Sequence, residues 1–400
     1  MADLIAKFDA GVSVNGGDRP ATEDECGVLK ISAVTEGMFR PEENKVVDGL
    51  ERDRANLNPK RGRLIMSRAN TPQLVGASAY IHTDHPNLFL SDKLWQFEPR
   101  EEVEFSMRWL GFLLSSPAYR KRMGEVATGS SQSMKNISQE SVLQMLLPVP
   151  PFAEQRRIAQ LLGDWESAIE KTERLIAAKE DRFLALIDRL VLKPASGKVW
   201  KTQKLRDIAT RVQRRSDGGG HPVLTISNAS GFVLQEEKYK RYMAGESVKD
   251  YILLRRGEFA YNKGNSLRFQ FGCVYQLHTY DDAIVPHVYV CFRLHDDISS
   301  SYLRHLFAVD YLKPQLGKLV KTGIRNNGLL NIRPNEFLGV TVPIPPLEKQ
   351  HRIAEILDAA RSEIDLLKRQ ADAYRTQKRG LMQKLLTGQW RVNVPEEANK

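Results

Sequence analysis

Two stretches of this chain carry an apolar position every seventh residue. In the first, Leu162, Ile169, Ile176, Phe183 and Leu190 form one row, with Ile158, Trp165, Thr172 and Leu186 on the row beside it. In the second, Leu357, Ile364, Ala371 and Leu385 form one row, and Ile353, Ala360, Leu367, Tyr374 and Leu381 the other. Rows at this spacing run along one stripe of an α-helix and predict a coiled-coil-like seam. A proline pair precedes each stretch, Pro150-Pro151 and Pro345-Pro346. Proline fits the first turn of a helix but not its interior, so the helices are predicted to begin near Phe152 and Leu347.

One lysine interrupts each seam. Lys179 stands where the second stretch has Tyr374, and Lys378 where the first has Phe183. The two helices are expected to pack on each other, with each lysine stem along apolar surface and its ammonium in solvent. The alternative is that each helix packs on its own domain instead.

The chain is written twice. Leu147-Pro148-Val149-Pro150-Pro151 returns as Val342-Pro343-Ile344-Pro345-Pro346, and Gln155, Arg157, Ile158, Ala159 and Leu162 return as Gln350, Arg352, Ile353, Ala354 and Leu357. The same register matches Arg61-Gly62 with Arg256-Gly257, Asn70 with Asn265, Phe97 with Phe292, and Asn136-Ile137 with Asn331-Ile332. Spacing kept across such divergent segments means a duplication, not a solenoid. Ahead of each helix, short apolar runs such as Leu64-Ile65-Met66 and Ala283-Ile284-Val285 alternate with Gly, Asn and Pro turn signals and predict strands. Helical patches appear at Ser106–Leu114 and Tyr302–Phe307. The expected class is α+β: two homologous mixed α/β domains joined by two long helices packed as an antiparallel coiled coil.

Composition alters this picture little. The 400 residues exceed one ordinary core and suggest two or three units. A hydrophobic share of 42% with 27% charged excludes a disordered chain. The net charge of +10 favours phosphate-rich partners, though basic proteins need bind no nucleic acid. Cys26, Cys273 and Cys291 form no CxxC pair and read as reduced, packed thiols. No leader-like pattern opens the chain and no apolar run nears the roughly 20 residues of a membrane span, so a cytoplasmic location without membrane contact is expected.

No catalytic constellation stands out. The chain lacks a GxxxxGK[ST] loop, a GxGxxG fingerprint, an Asn-Pro-Pro-aromatic methyltransferase motif and an HExxH pair. His82-Thr83-Asp84-His85 has no third ligand at metal spacing and reads as a polar turn, so no metal is expected. Gly218-Gly219-Gly220 reads as a turn rather than a phosphate cradle.

A recognition segment, a proline-rich junction and a long helix, repeated once, resembles the specificity subunit of type I restriction-modification systems. The strings that carry the resemblance are Pro148-Val149-Pro150-Pro151-Phe152-Ala153-Glu154-Gln155-Arg156-Arg157-Ile158-Ala159 and Pro343-Ile344-Pro345-Pro346-Leu347-Glu348-Lys349-Gln350-His351-Arg352-Ile353-Ala354, with Leu381-Met382-Gln383-Lys384-Leu385-Leu386-Thr387-Gly388 at the end. The resemblance implies a non-catalytic subunit of an adenine-specific methyltransferase and ATP-dependent restriction complex. Each recognition domain would read one half of a bipartite, gapped double-stranded DNA target. The helices would set the spacing and dock two methyltransferase subunits, with restriction and translocase subunits in the full assembly. S-adenosylmethionine, ATP and Mg would belong to those partners, and this chain would hold no cofactor. The expected division is a first target-recognition domain over 1–150, a central helix over 151–193, a second domain over 194–346, a distal helix over 347–389, and a tail over 390–400. A helix of about 40 residues runs roughly 60 Å, enough to serve as such a spacer.

The readers are sought in polar, cationic loops. Lys318, Lys321, Arg325, Asn326 and Asn327 surround Gly323, and the first half offers Gln132 and Lys135 at the matching place. Lysines would neutralise phosphates, while arginine and amide forks suit guanine and adenine edges. Arg68 with Asn70, matched by Lys263 with Asn265, forms a second pair of candidates. Both asparagines equally fit a turn-capping role, and a solvated turn is the plainer reading of the basic loop. The second domain opens with Trp200-Lys201-Thr202-Gln203-Lys204-Leu205, for which the first has no counterpart. Trp390-Arg391-Val392-Asn393-Val394 is therefore expected to fold back and complete the first domain. The rival function is a stand-alone DNA-binding scaffold with a coiled-coil association module; an RNA-binding module fits less, since no RRM-type aromatic motif or GXXG loop appears.

Overall fold

The computed structural model describes residues 1–393 other than 36, 48, 130–133, 194–199, 228–229, 240–248, 265, 267 and 321–328. Its contacts divide the chain into two compact units, Met1–Glu173 with Arg369–Lys400, and Arg174–Lys368. The divisions fall inside the long helices, so each unit holds one recognition segment and a part of both helices.

In unit 1 the strands β1 (Ile5–Ala10), β2 (Leu64–Ser67), β3 (Ser78–Tyr80) and β4 (Leu94–Pro99) form one antiparallel sheet in the order β1-β4-β2-β3. In unit 2, β5 (Ala209–Val212), β6 (Phe259–Asn262), β7 (Cys273–Gln276) and β8 (Val290–Leu294) form another in the order β5-β8-β6-β7. The two orders are the same. Phe97 and Phe292, paired by the repeat, are both fully buried. Gly62 and Gly257 take positive φ values of 82° and 90° in the turns that lead to β2 and β6, a backbone region that favours glycine. Paired positions thus do the same job in each half.

Helix α1 (Met107–Ser115) follows β4 and is capped by Ser106, whose hydroxyl accepts from the Trp109 amide. The first long helix, α2, runs Phe152–Ile187 and widens into a π-turn over Asp188–Leu192. In unit 2, α3 (Ser300–Ala308) is capped by Ser299 in the same way, and α4 (Lys313–Leu319) precedes the second long helix, α5 (Leu347–Leu386). Gly388, at φ 75°, closes α5.

The recurring glutamine of the junction has a shared role. In unit 1 the Gln155 carbonyl oxygen accepts from the Ser106 amide at 2.8 Å, and its side-chain nitrogen donates to the Pro150 carbonyl at 2.8 Å. In unit 2, Gln350 does the same with Ser299 and Pro345, again at 2.8 Å each. Both amides are buried. Each therefore fastens the start of the recognition helix to the proline junction that opens the long helix.

Within each unit the two long helices pair antiparallel. In unit 1, Trp165 meets Tyr374 edge-on at 5.5 Å, Lys378 pairs with Glu166 at 2.7 Å, and Arg375 pairs with Glu173. In unit 2, Lys179 pairs with Glu363 and Lys368 with Glu180, both at 2.6 Å. The expected mutual packing holds. Leu162, Ile169, Phe183, Leu357, Ile364 and Leu385 are buried, while Ile176, Leu190, Leu367, Tyr374 and Leu381 are half-buried along the margins. The helices pack on their own recognition segments as well: Leu162 joins the core of Phe97 and Leu110, and Leu357 that of Phe259 and Phe292. The expectation for the lysines is corrected. Their ammoniums do not sit in solvent but on glutamates of the facing helix, because side chains only 17% and 23% exposed need a counterion.

The tail contacts unit 1 through Arg391 and Val392. Arg391 binds Glu154 through two nitrogens, at 2.8 and 2.5 Å, and Val392 packs on the unit 1 core. Hydrogen bonding from Arg391 holds the Glu154 carboxyl below its usual range, against the effect of its burial. Trp390 stays half exposed, under the Lys384 ammonium at 4.3 Å. In unit 2 a strand at Thr202–Lys204 pairs with Thr341–Pro343. The matching Leu146–Pro148 of unit 1 has no strand partner among the described residues, and Leu146 is 85% exposed.

Candidate nucleic-acid interface

The structure pairs the described residues that flank the two candidate loops of each unit. In unit 1 the chain after β2 forms a short strand, Ala69–Asn70, that pairs with Lys135–Asn136. The Ile137 amide donates to the Arg68 carbonyl at 2.9 Å, and Thr128 bridges Asn136 to close the intervening hairpin. In unit 2, Gly264 bridges Leu329, and the Leu330 amide donates to the Lys263 carbonyl at 3.1 Å. These pairings set the chain just after the second sheet strand beside the chain that leads into the proline junction.

The individual candidates differ. Arg68 is half-buried, with its Nε donating to the Asp92 carbonyl at 2.6 Å. Asn70 is 4% exposed, and its side-chain oxygen accepts from the Thr71 amide at 2.8 Å, the geometry of its turn-capping reading. Lys135 donates its ammonium to the Gly129 carbonyl at 2.5 Å. Lys263 is half-buried beside the bridge, and Lys318 is exposed in the last turn of α4. Gln132, Asn265, Lys321, Arg325, Asn326 and Asn327 lie outside the described residues.

In the chain joining β6 to β7, sequence reasoning picked out Lys263 and Asn265 but passed over Arg268 and Gln270. Phe269 is 3% exposed and Phe271 packs against the unit 2 core, while Arg268 and Gln270 between and before them are exposed. The alternation Arg-Phe-Gln-Phe was the available signal.

The other clusters considered from sequence serve structure. Asp84 accepts from the Arg61 amide at 2.8 Å and His85 meets Thr83 at 3.1 Å, and among the described residues no side-chain group is arranged to hold a metal. The triglycine turn is fixed by Asp217, which accepts from Gly219 at 2.8 Å. His221 sits between Asp217 and Asp282, at 2.8 and 2.6 Å, and these carboxylates, Asp217 foremost, raise its pKa. Burial pushes the Cys273 and Cys291 thiols up to about 12, which leaves them protonated and unreactive. No helix among the described residues is long and apolar enough to cross a membrane.

A duplicated sheet, each copy carrying paired polar loops and a junction helix, defines a two-headed DNA-recognition protein. Both halves match the family described as the type I restriction modification DNA specificity domain, over residues 11–179 and 198–373, and the chain belongs to this family of specificity subunits. It is 22% identical to the EcoKI specificity subunit of Escherichia coli (strain K12), over 94% of this chain and 85% of that one. It is 26% identical to the EcoEI specificity subunit of Escherichia coli over 48% of this chain, a match that spans 32% of that relative's length. Its fold resembles the S subunit of a type I restriction-modification system from M. genitalium, with a TM-score of 0.61 over 96% of this chain and 94% of that one at 13% identity.

Proposed function

We propose that this chain is the subunit that selects the DNA sequence for a type I restriction-modification complex, each recognition domain reading one half of a bipartite, gapped double-stranded target. The observation that carries the proposal is the duplication in three dimensions: the same strand order, the same capped helix and the same glutamine fastening occur in both units. Their reading loops meanwhile carry different side chains, as two unlike half-sites require.

The functional division follows the chain. Residues 1–150 and 194–346 are the readers, 151–193 and 347–389 the helices that set half-site spacing and receive two methyltransferase subunits, and 390–400 part of the first reader. Arg391 on Glu154 supports that last assignment. Adenine methylation with S-adenosylmethionine, and ATP- and Mg-dependent restriction, belong to partner subunits. The protein acts in the cytoplasm, where its partners meet DNA.

The test is single-molecule mapping of methylated adenines in cells that coexpress this chain with its methyltransferase subunit. A gapped, two-part motif that vanishes when this chain is omitted is the expected result. A soluble complex that leaves no motif, or an ungapped one, overturns the proposal in favour of a DNA-binding scaffold.

A further inference from the structure

From Arg268 to Gly272, the chain leading into β7 has the properties of a preformed DNA-reading surface. Its turn is closed twice: Ser266 N donates to the Phe269 carbonyl at 3.1 Å, and Phe269 N to the Ser266 hydroxyl at 3.0 Å. Tyr261 donates its hydroxyl to the Phe271 carbonyl at 2.7 Å. Gly272, at φ 86°, permits the return to β7, since a Cβ there would lie 2.4 Å from the Asn262 carbonyl oxygen. Phe269 and Phe271 point inward, so Arg268 and Gln270 project outward from a backbone held at both ends. The Arg268 guanidinium rests 5.2 Å from the Phe269 ring centroid, which limits its freedom before any ligand arrives.

The two segments that meet here carry no acid of their own. No Asp or Glu occurs from Phe259 to Tyr280, nor from Tyr311 to Asn335. Gly317 of α4 lies against the Phe271 ring, 3.0 Å from where its Cβ would be, which joins the two acid-free stretches and places α4, with its exposed Lys318, beside the loop. Among the described residues, neither Arg268 nor Gln270 has an ion pair or hydrogen bond that ties its side chain to the protein. An arginine fork and a glutamine amide are the groups that match guanine O6/N7 and adenine N6/N7 in the major groove.

We propose that Arg268 and Gln270 contact bases in the half-site read by the second recognition domain, Arg268 a guanine and Gln270 an adenine. The assignment rests on the reading of this chain as a DNA-specificity subunit. Lys318, exposed in the last turn of the neighbouring helix, takes a phosphate.

The experiment uses the full chain in complex with its methyltransferase subunits, as wild type and as Arg268→Ala, Arg268→Lys and Gln270→Ala. Methylation maps and salt-dependent binding to the mapped target are compared. Each alanine variant is expected to relax one position of one half-site and to weaken target binding on the order of tenfold to a hundredfold. Arg268→Lys is expected to behave like Arg268→Ala, because an ammonium lacks the fork. Melting should be unchanged, since both side chains are exposed. Unaltered motifs in the alanine variants overturn the assignment, as does a uniform loss over all sequences. A wild-type complex that yields no two-part motif overturns the underlying function instead, and the assignment with it.

Discussion

In unit 1 the long-helix position that faces the recognition helix is Gly163; in unit 2 the repeat places Asp358 there. A Cβ at Gly163 would lie 2.2 Å from the Arg108 guanidinium, which lies along the helix and pairs with Glu166 at 3.9 Å. Asp358 instead accepts from Ser301 at 2.8 Å, Arg304 at 2.5 Å and His305 at 2.7 Å. The candidate loops differ as well. Unit 1 has two cations there, Arg68 and Lys135, each already bonded to a backbone carbonyl. Unit 2 has Lys318 and Arg268 exposed to solvent. One fold is thus fastened by different contacts in its two copies, so a change at this helix face is felt in one unit and not in the other.

The shared part of the design should give equal effects in both units. Leu162→Ala and Leu357→Ala, at equivalent and fully buried positions, are each expected to cost about 2–5 kcal/mol. Hydrogen exchange should show the loss in the unit that holds the residue. Next come Gln155→Ala and Gln350→Ala, which strand a buried amide and a carbonyl and are expected to cost about 1–3 kcal/mol each. A marked difference within either pair would mean that the fastening is not common to the two halves.

The unequal part should separate them. Asp358→Asn is expected to destabilise unit 2 alone, by about 1–2 kcal/mol given its partial exposure. Acid should do the same. Burial lowers the His305 pKa below its ordinary 6.5, with Asp358 acting in the opposite direction. The folded ring therefore stays neutral while the unfolded chain takes up its proton. Its contribution is full above about pH 6.5 and is lost as pH falls through the depressed folded value. Counted from the capping serines, unit 1 has Phe112 at this place, so exchange measured from pH 7 to 5 should loosen α3 and leave the matching α1 unchanged. Truncation after Gly388 makes the opposite contrast, loosening unit 1 through loss of Arg391 on Glu154 and leaving unit 2 protected. The smallest effect belongs to DNA binding: Lys318→Ala should lower the salt slope by about 1, and Lys135→Ala by less, because that ammonium already has an acceptor.

The architecture was legible because it rests on periodicity and repetition. Rows such as Leu162 to Leu190 and pairs such as Phe97 and Phe292 keep their spacing through the divergence of the halves. The partners of Lys179 and Lys378 were not legible, since a heptad pattern does not state which glutamate an antiparallel neighbour brings opposite. The job of Gln155 was hidden for a related reason: its partner Ser106 lies 49 residues upstream. At the candidate site, spacing led to Arg68 and Lys135 but not to their backbone acceptors, and Asn70 read equally as base contact or turn cap until its burial was known. Arg268 and Gln270 escaped notice because their inward neighbours Phe269 and Phe271 read as part of a loop rather than as its anchors.

The central claim is that the two recognition domains read independently, one half-site each. The direct test replaces residues 194–346 with a second copy of residues 1–150, coexpresses that chain with the methyltransferase subunit, and maps methylated adenines. A gapped motif built from the first half-site twice is the predicted result. A motif that keeps its original second half would contradict the account.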